Sequence, residues 1–386
     1  MNLKKVICTV LPLAFASQAF SLVTVLSMSN DGKYVVTDGF DKGVALYNIN
    51  KKTSEIVGEK INHFSPNFID GTDNFIYQDK QNKVYVVNAN TKKVIKSFQG
   101  VPDTFHESLN KDMTVYAYTS KDSGINIAKV VDGKLEDIYS YGDKYMDMQL
   151  NTLPKFYDNK VIATTSKDSL LIFDLDKVFK DDKYTPIKIS KNSGATMNAI
   201  SPDGKYIYTA DKQFGGIKYD IATNQVVQKM YYSPEYIDNV SYHKIGYNNG
   251  DFFNKVVNFK FIDNDKVIMT FAGVNQSYLW AALFDINKYK KKNKTTDTIE
   301  SIKYLPLTKD PLKFITGDYK DNTDPVPLED GYNTRMATSV EAHKLVLPKG
   351  NGGNGIMVYN YNPSDESLKL DWVVDQPKPE SKGWFW

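Results

Sequence analysis

Histidine is scarce in this chain, at His63, His106, His243 and His343. None stands in an HxxxH or HExxH spacing, so no pair shares a helix face to hold a metal. Each reads as a surface or turn histidine. The chain has no GxSxG elbow and no phosphate-binding GxxxxGK[ST] loop. The run Gly350 to Gly355, GNGGNG, is followed by GIMVYNY, a strand pattern, and therefore reads as a hairpin loop. Two acidic groups remain. Asp263-Asn264-Asp265 sits between two strand patterns and is most simply a β-turn. Asp318, Asp321 and Asp324 in GDYKDNTD offer oxygens to a hard cation, but their spacing matches no EF-hand loop. No catalytic residue, metal ligand set or cofactor is expected.

Aromatic residues offer more. The stretch 231–255, YYSPEYIDNVSYHKIGYNNGDFFNK, gathers Tyr231, Tyr232, Tyr236, Tyr242, Tyr247, Phe252 and Phe253. Rigid amphipathic rings give contact area at low entropic cost, which suits a binding surface. A lid packing its own rings is the alternative. Trp384 and Trp386 at the C-terminus are further candidates for docking on a partner or on the chain itself.

The elements that position these residues are strands. Ser201 to Met230, SPDGKYIYTADKQFGGIKYDIATNQVVQKM, is the reference. Pro202-Asp203-Gly204 is a turn, with Pro presetting φ and Gly supplying φ > 0. Strands are expected at 195–200, 205–210, 217–221 and 225–230. The turn recurs as Ser29-Asn30-Asp31-Gly32-Lys33-Tyr34. A Tyr/Phe-Asp/Asn-Ile/Leu theme recurs at 44–49, 170–175 and 279–286. Units follow at intervals of about 40 to 50 residues, the period of propeller blades. The expected fold is all-β, a β-propeller of four-stranded blades, most simply seven, with six or eight as alternatives. Its domain spans 20–376, interrupted at 231–255 and 308–330 and followed by a tail at 377–386.

Ser201 to Thr209 with Tyr219 to Val227 resembles a YVTN-type or WD40-like β-propeller repeat, and Ser29 to Ile49 is a looser match. No Gly-His opens the units and no Trp-Asp closes a strand. The resemblance implies a fold and little chemistry.

Residues 1–19 read as a secretory signal: Lys4 and Lys5, an apolar run from Val6 to Phe15, and a Ser17-Gln18-Ala19 cleavage site. A cut after Ser21 is the weaker alternative. Cys8, the single cysteine, lies in that apolar run, so the mature chain would have no thiol. Removing Lys4 and Lys5 from 48 basic residues leaves 46, equal to the 46 acidic ones. A balanced charge argues against nucleic acid or an anionic membrane as main partner. No other apolar run is long enough to span a bilayer. The expected protein is an exported, non-enzymatic propeller, periplasmic or secreted, that binds a protein or glycan partner. The alternative is a lactonase-like propeller hydrolase with carboxylates and a histidine converging on the central channel.

Overall fold

The computed structural model describes residues 25–39, 43–58, 66–120, 124–142, 153–164, 168–181, 183–190, 196–211, 213–233, 255–272, 277–291, 293–306, 336–349 and 355–377. They form seven antiparallel blades of four strands, the sixth with an added two-residue strand. Blade 1 holds β1 (Leu26–Met28), β2 (Tyr34–Gly39), β3 (Gly43–Asn48) and β4 (Thr53–Ile56). Blade 2 holds β5 (Asn67–Phe68), β6 (Asn74–Gln78), β7 (Lys83–Asn88) and β8 (Val94–Gln99). Blade 3 holds β9 (Thr104–Leu109), β10 (Val115–Ser120), β11 (Gly124–Val131) and β12 (Lys134–Tyr141). Blade 4 holds β13 (Lys155–Tyr157), β14 (Lys160–Ala163), β15 (Asp168–Asp174), the short helix α1 (Leu175–Val178) and β16 (Ile187–Ser190). Blade 5 holds β17 (Thr196–Ile200), β18 (Tyr206–Asp211), β19 (Gly215–Asp220) and β20 (Gln225–Ser233). Blade 6 is β21 (Lys255–Phe261), β22 (Lys266–Ala272), β23 (Ser277–Asp285), the two-residue β24 (Lys290–Lys291) and β25 (Asp297–Pro306). Blade 7 is β26 (Ala337–Ser339), β27 (Lys344–Pro348), β28 (Gly355–Asn362) and β29 (Ser367–Asp375).

The recurrent turn has one chemistry in two blades. The Ser29 hydroxyl donates to Asp31 and accepts from the Tyr34 amide, while Asp31 accepts from the Lys33 amide. Ser201, Asp203, Lys205 and Tyr206 repeat all three bonds. The turn between the third and fourth strands is likewise closed by a side-chain oxygen. Asn48 accepts from the Lys51 amide, Asn88 from Thr91 and Asp220 from Thr223. These short polar residues compete well for backbone donors in turns.

Seven hydrophobic clusters fill the seven seams between neighbouring blades, including the seam between blades 7 and 1. The abundant tyrosines and phenylalanines go here: Tyr47, Tyr116, Tyr219, Tyr232, Phe75, Phe98, Phe173, Phe259 and Phe284 are fully buried. Polar bonds lock the closing seam. The Ser339 hydroxyl donates to the Asn30 carbonyl at 2.5 Å, Gln376 Nε2 to the Asp38 carbonyl at 2.9 Å, and Lys52 pairs with Asp371 at 3.0 Å.

Two features depart from the expected pattern. Asp174 ends β15 but also accepts from the Asp176 amide at 3.1 Å, so it caps α1 inside a blade that otherwise holds only strands. Blades 5 and 6 are also joined at the rim: β20 pairs in parallel with β25 from Met230↔Asp297 to Ser233↔Glu300. Asp297 secures this join, held by Lys291 at 2.7 Å and Gln228 at 2.8 Å.

Gly204 has φ +72°, and a Cβ there would run into the Tyr157 hydroxyl of blade 4. Gly71, in the matching turn of blade 2, has φ +71° and nothing near its Cβ position. Gly71→Ala should therefore cost only the backbone strain, about 1 kcal/mol, whereas Gly204→Ala adds overpacking for a total of about 2–4 kcal/mol. Urea denaturation of the two variants measures the difference, and equal losses would contradict the packing.

Candidate functional site

Antiparallel order puts the turns after the first and third strands of each blade on one face of the ring. The connections after the second and fourth strands lie on the other. The first face is built mainly from the tight hydrogen-bonded turns described above, with longer third-to-fourth-strand connections carrying α1 in blade 4 and β24 in blade 6. The second carries the ends of the long connections. Ser233 and Lys255 anchor 234–254 between blades 5 and 6, and Pro306 and Met336 anchor 307–335 between blades 6 and 7. Both departures from the repeat thus leave the same face at adjacent seams, beside the parallel join of β20 and β25.

The predicted binding residues divide. Tyr232 is a core residue, fully buried, with its ring centroid 5.5 Å from Phe259 and 5.7 Å from Phe284. It is unavailable to a partner, because β20 continues through Ser233 and alternation turns Tyr232 into the seam. Tyr231 is half-buried against the same core. Tyr236, Tyr242, Tyr247, Phe252, Phe253, Trp384 and Trp386 lie outside the described residues, as do His63, His243 and the Asp318–Asp324 segment.

His106 corrects the expectation of surface histidines. It lies on β9, an innermost strand, 1% exposed, and burial lowers its pKa to about 4. Its neighbour Glu107 is also buried and accepts from the Tyr116 hydroxyl. His343 does occupy a turn, with φ 49°. Asp263 and Asp265 flank the turn after β21, where Asp265 pairs with Lys266 at 2.8 Å.

The channel supplies residues that single-strand reading missed. Register places seven inner-strand residues at one level, each opposite the third residue of its second strand: Ser27, Asn67, Ser108, Lys155, Ala199, Lys260 and Ala337. Several bond to the next blade's inner strand, which has no strand on its channel side. Ser27 Oγ accepts from the Phe68 amide at 3.1 Å, Asn67 Nδ2 donates to the Glu107 carbonyl at 3.3 Å, and Lys155 Nζ donates to the Asn198 carbonyl at 2.8 Å. Lys155 and Lys260 are half-buried, and both interact electrostatically with Asp70, a water-accessible carboxylate in the first turn of blade 2. Loss of water lowers the Lys155 pKa to about 7, reinforced by the like charge of Lys260 and opposed by Asp70. Burial likewise lowers Lys260, opposed by Asp70. Although water reaches Asp70, the protein crowded around the channel mouth partly desolvates its carboxyl and pushes its pKa upward, against the pull of the two lysines.

Among the described residues no group of three His, Cys, Asp or Glu side chains is placed to hold a metal, and no helix is long and apolar enough to cross a membrane. An open groove of about 560 Å³ between blades 3 and 4 is lined by Asp112, Asp158, Asp176 and Lys129. The Lys129 ammonium lies 4.9 Å from the Phe179 ring centre and pairs with Asp137 at 2.6 Å.

No protein-family model and no curated protein matches the chain. Solved structures do match in fold. Hsv2 of Kluyvelomyces marxianus aligns over 93% of this chain and 100% of its own, with a TM-score of 0.56 and 11% identity. Kluyveromyces lactis Hsv2 aligns over 92% and 99%, with a TM-score of 0.54 and 10% identity. A chain of the Mitotic Checkpoint Complex aligns over 92% and 88%, with a TM-score of 0.55 and 12% identity. The fold is a WD40-like β-propeller.

The depressed pKa of Lys155 makes stability depend on pH. Between about 7 and the ordinary lysine value the unfolded chain holds a proton that the folded chain has released, so stability rises with pH across that window. Below it both states are protonated and the slope vanishes. Lys155→Met should remove this rise. The stability of wild type relative to the variant should climb from pH 7 to 9 by up to about 1.4 kcal/mol per pH unit. Chemical denaturation of both proteins at several pH values gives the slope, and parallel profiles would contradict it.

Proposed function

We propose that the chain is an exported, non-enzymatic propeller that binds a macromolecular partner, protein or glycan, through the long connections of one face. The observation that carries this reading is the anchoring of 234–254 and 307–335 on the same face at adjacent seams. A rigid ring that sends its longest segments from one sector has the form of a scaffold carrying binding loops. The parallel join of β20 and β25 stiffens the frame beneath them.

Three further points support the reading. One fold neighbour is a chain of the Mitotic Checkpoint Complex, a propeller within an assembly. Tyrosine and phenylalanine are concentrated in 234–254, beside Glu235 and Asp238. The described channel level carries serine, asparagine, alanine and lysine, with Asp70 as the carboxylate that interacts with the lysines. Among the described residues, carboxylates and a histidine do not converge at that level itself as in a hydrolase of this architecture; His106 and Glu107 lie buried beside it on β9. Export rests on the signal-like pattern of residues 1–19.

Replacing 234–254 by a short Gly-Ser linker should abolish retention of a partner that the intact chain captures from its own periplasmic or culture fraction. The melting temperature should change little, because Ser233 and Lys255 keep their strands. Tyr236→Ser with Tyr242→Ser and Tyr247→Ser should weaken the same capture at least tenfold, equivalent to about 1.4 kcal/mol. A glycan array run in parallel separates the two partner classes. Undiminished capture by the linker variant would overturn the assignment.

A further inference from the structure

We propose that the channel arc formed by Lys155, Ala199 and Lys260 binds a small oxyanion, a carboxylate or a phosphate. The three residues occupy one level on the consecutive blades 4, 5 and 6. The middle one ends at Cβ, so no long side chain from that level stands between the two lysines.

Hydrogen-bond capacity points the same way. Lys155 gives one of its three donors to the Asn198 carbonyl and keeps two. The ammonium of half-buried Lys260 makes no hydrogen bond among the described residues, although it reaches the field of Asp70. A partly desolvated ammonium with unspent donors is costly, and an anion with several acceptor oxygens removes that cost. Charge also fits. With both lysines protonated, two ammonium groups face one carboxylate, so a single negative charge neutralises the set, and binding draws a proton onto Lys155 where it is neutral. Divalent cations would meet two like charges. Lysines act as compact point charges without a planar fork, which suits carboxylate and phosphate alike. Asp70 lies three residues nearer the tight-turn face than the matching ring position Asn67, so it stands at the rim as the internal counter-charge that the ligand displaces.

The site is separate from the long connections proposed to bind the partner, so either can fail alone. The test is a thermal-shift and calorimetric titration of the whole mature chain with sodium phosphate and with sodium acetate, at constant ionic strength in chloride. Saturable stabilisation by at least one anion is expected, and the two arms tell phosphate from carboxylate. Lys260→Met and Lys155→Met should each weaken binding at least roughly tenfold. Without anion, Lys260→Met should melt no lower than wild type, because an unpaired charge has been removed. Asp70→Asn, at a water-accessible position, should tighten binding by removing the competing carboxylate. If the lysine variants do not fold, Asp70→Asn and the lysine ¹⁵Nζ resonances of wild type still decide, since bound anion should raise the protonated fraction of Lys155. No saturable effect in wild type, unchanged binding in Lys260→Met, or weaker binding in Asp70→Asn would each overturn the proposal.

Discussion

A four-stranded sheet with apolar side chains on both faces cannot leave either face in water, and everything else in this molecule follows from that. Each blade carries side chains such as Val35 and Val36, or Ile207 and Tyr208, that alternate between its two surfaces and are nearly all buried. Only another blade covers such a surface, so the copies must continue until the last meets the first. The seam of blades 7 and 1 is therefore an ordinary core, with Leu26, Tyr47, Val346 and Val358 packed as in the other six. Closure leaves no apolar blade face in water, and the strand edges that remain are short.

The ring solves the faces but leaves the inner edges. Seven innermost strands present backbone groups toward the axis, where no further strand pairs with them. Ser27, Asn67 and Lys155 each spend a polar group on the next blade's inner strand. The channel lining is thus partly structural, and Ser27 and Asn67 are short polar residues suited to that task. A lysine at that level costs desolvation that serine does not. Its presence at two places around an alanine marks the one arc where the lining exceeds the structural need.

The two faces of the ring divide the labour. Turns such as Ser29–Asp31 and Ser201–Asp203 are self-contained: the side chain closes its own backbone, and little is left to offer a ligand. The opposite face carries the connections, whose length is not constrained by the blade. Insertions there cost only loop-closure entropy, which grows slowly with length. That is why the repeat tolerates its two interruptions at neighbouring seams without losing blades 6 and 7.

Much of the fold was legible in the chain by itself. Turn residues with a fixed offset to short Tyr- and Ile-rich runs determined strand, turn and period, because these depend on local φ preference and alternation. Ser-Asn-Asp-Gly-Lys-Tyr and Ser-Pro-Asp-Gly-Lys-Tyr announced the same hydrogen-bonded turn in blades 1 and 5. Tertiary structure decided what depends on distant partners. Tyr232 looked like the start of a binding segment and is a core residue, because β20 runs on and Phe259 and Phe284 receive its ring. His106 looked like a surface residue and is buried, since nothing local marks β9 as innermost. The charged trio of the channel comes from three blades separated by long stretches of chain, so no spacing could reveal it. Local chemistry writes the blade into the sequence, while burial and the meeting of charges belong to the closed ring.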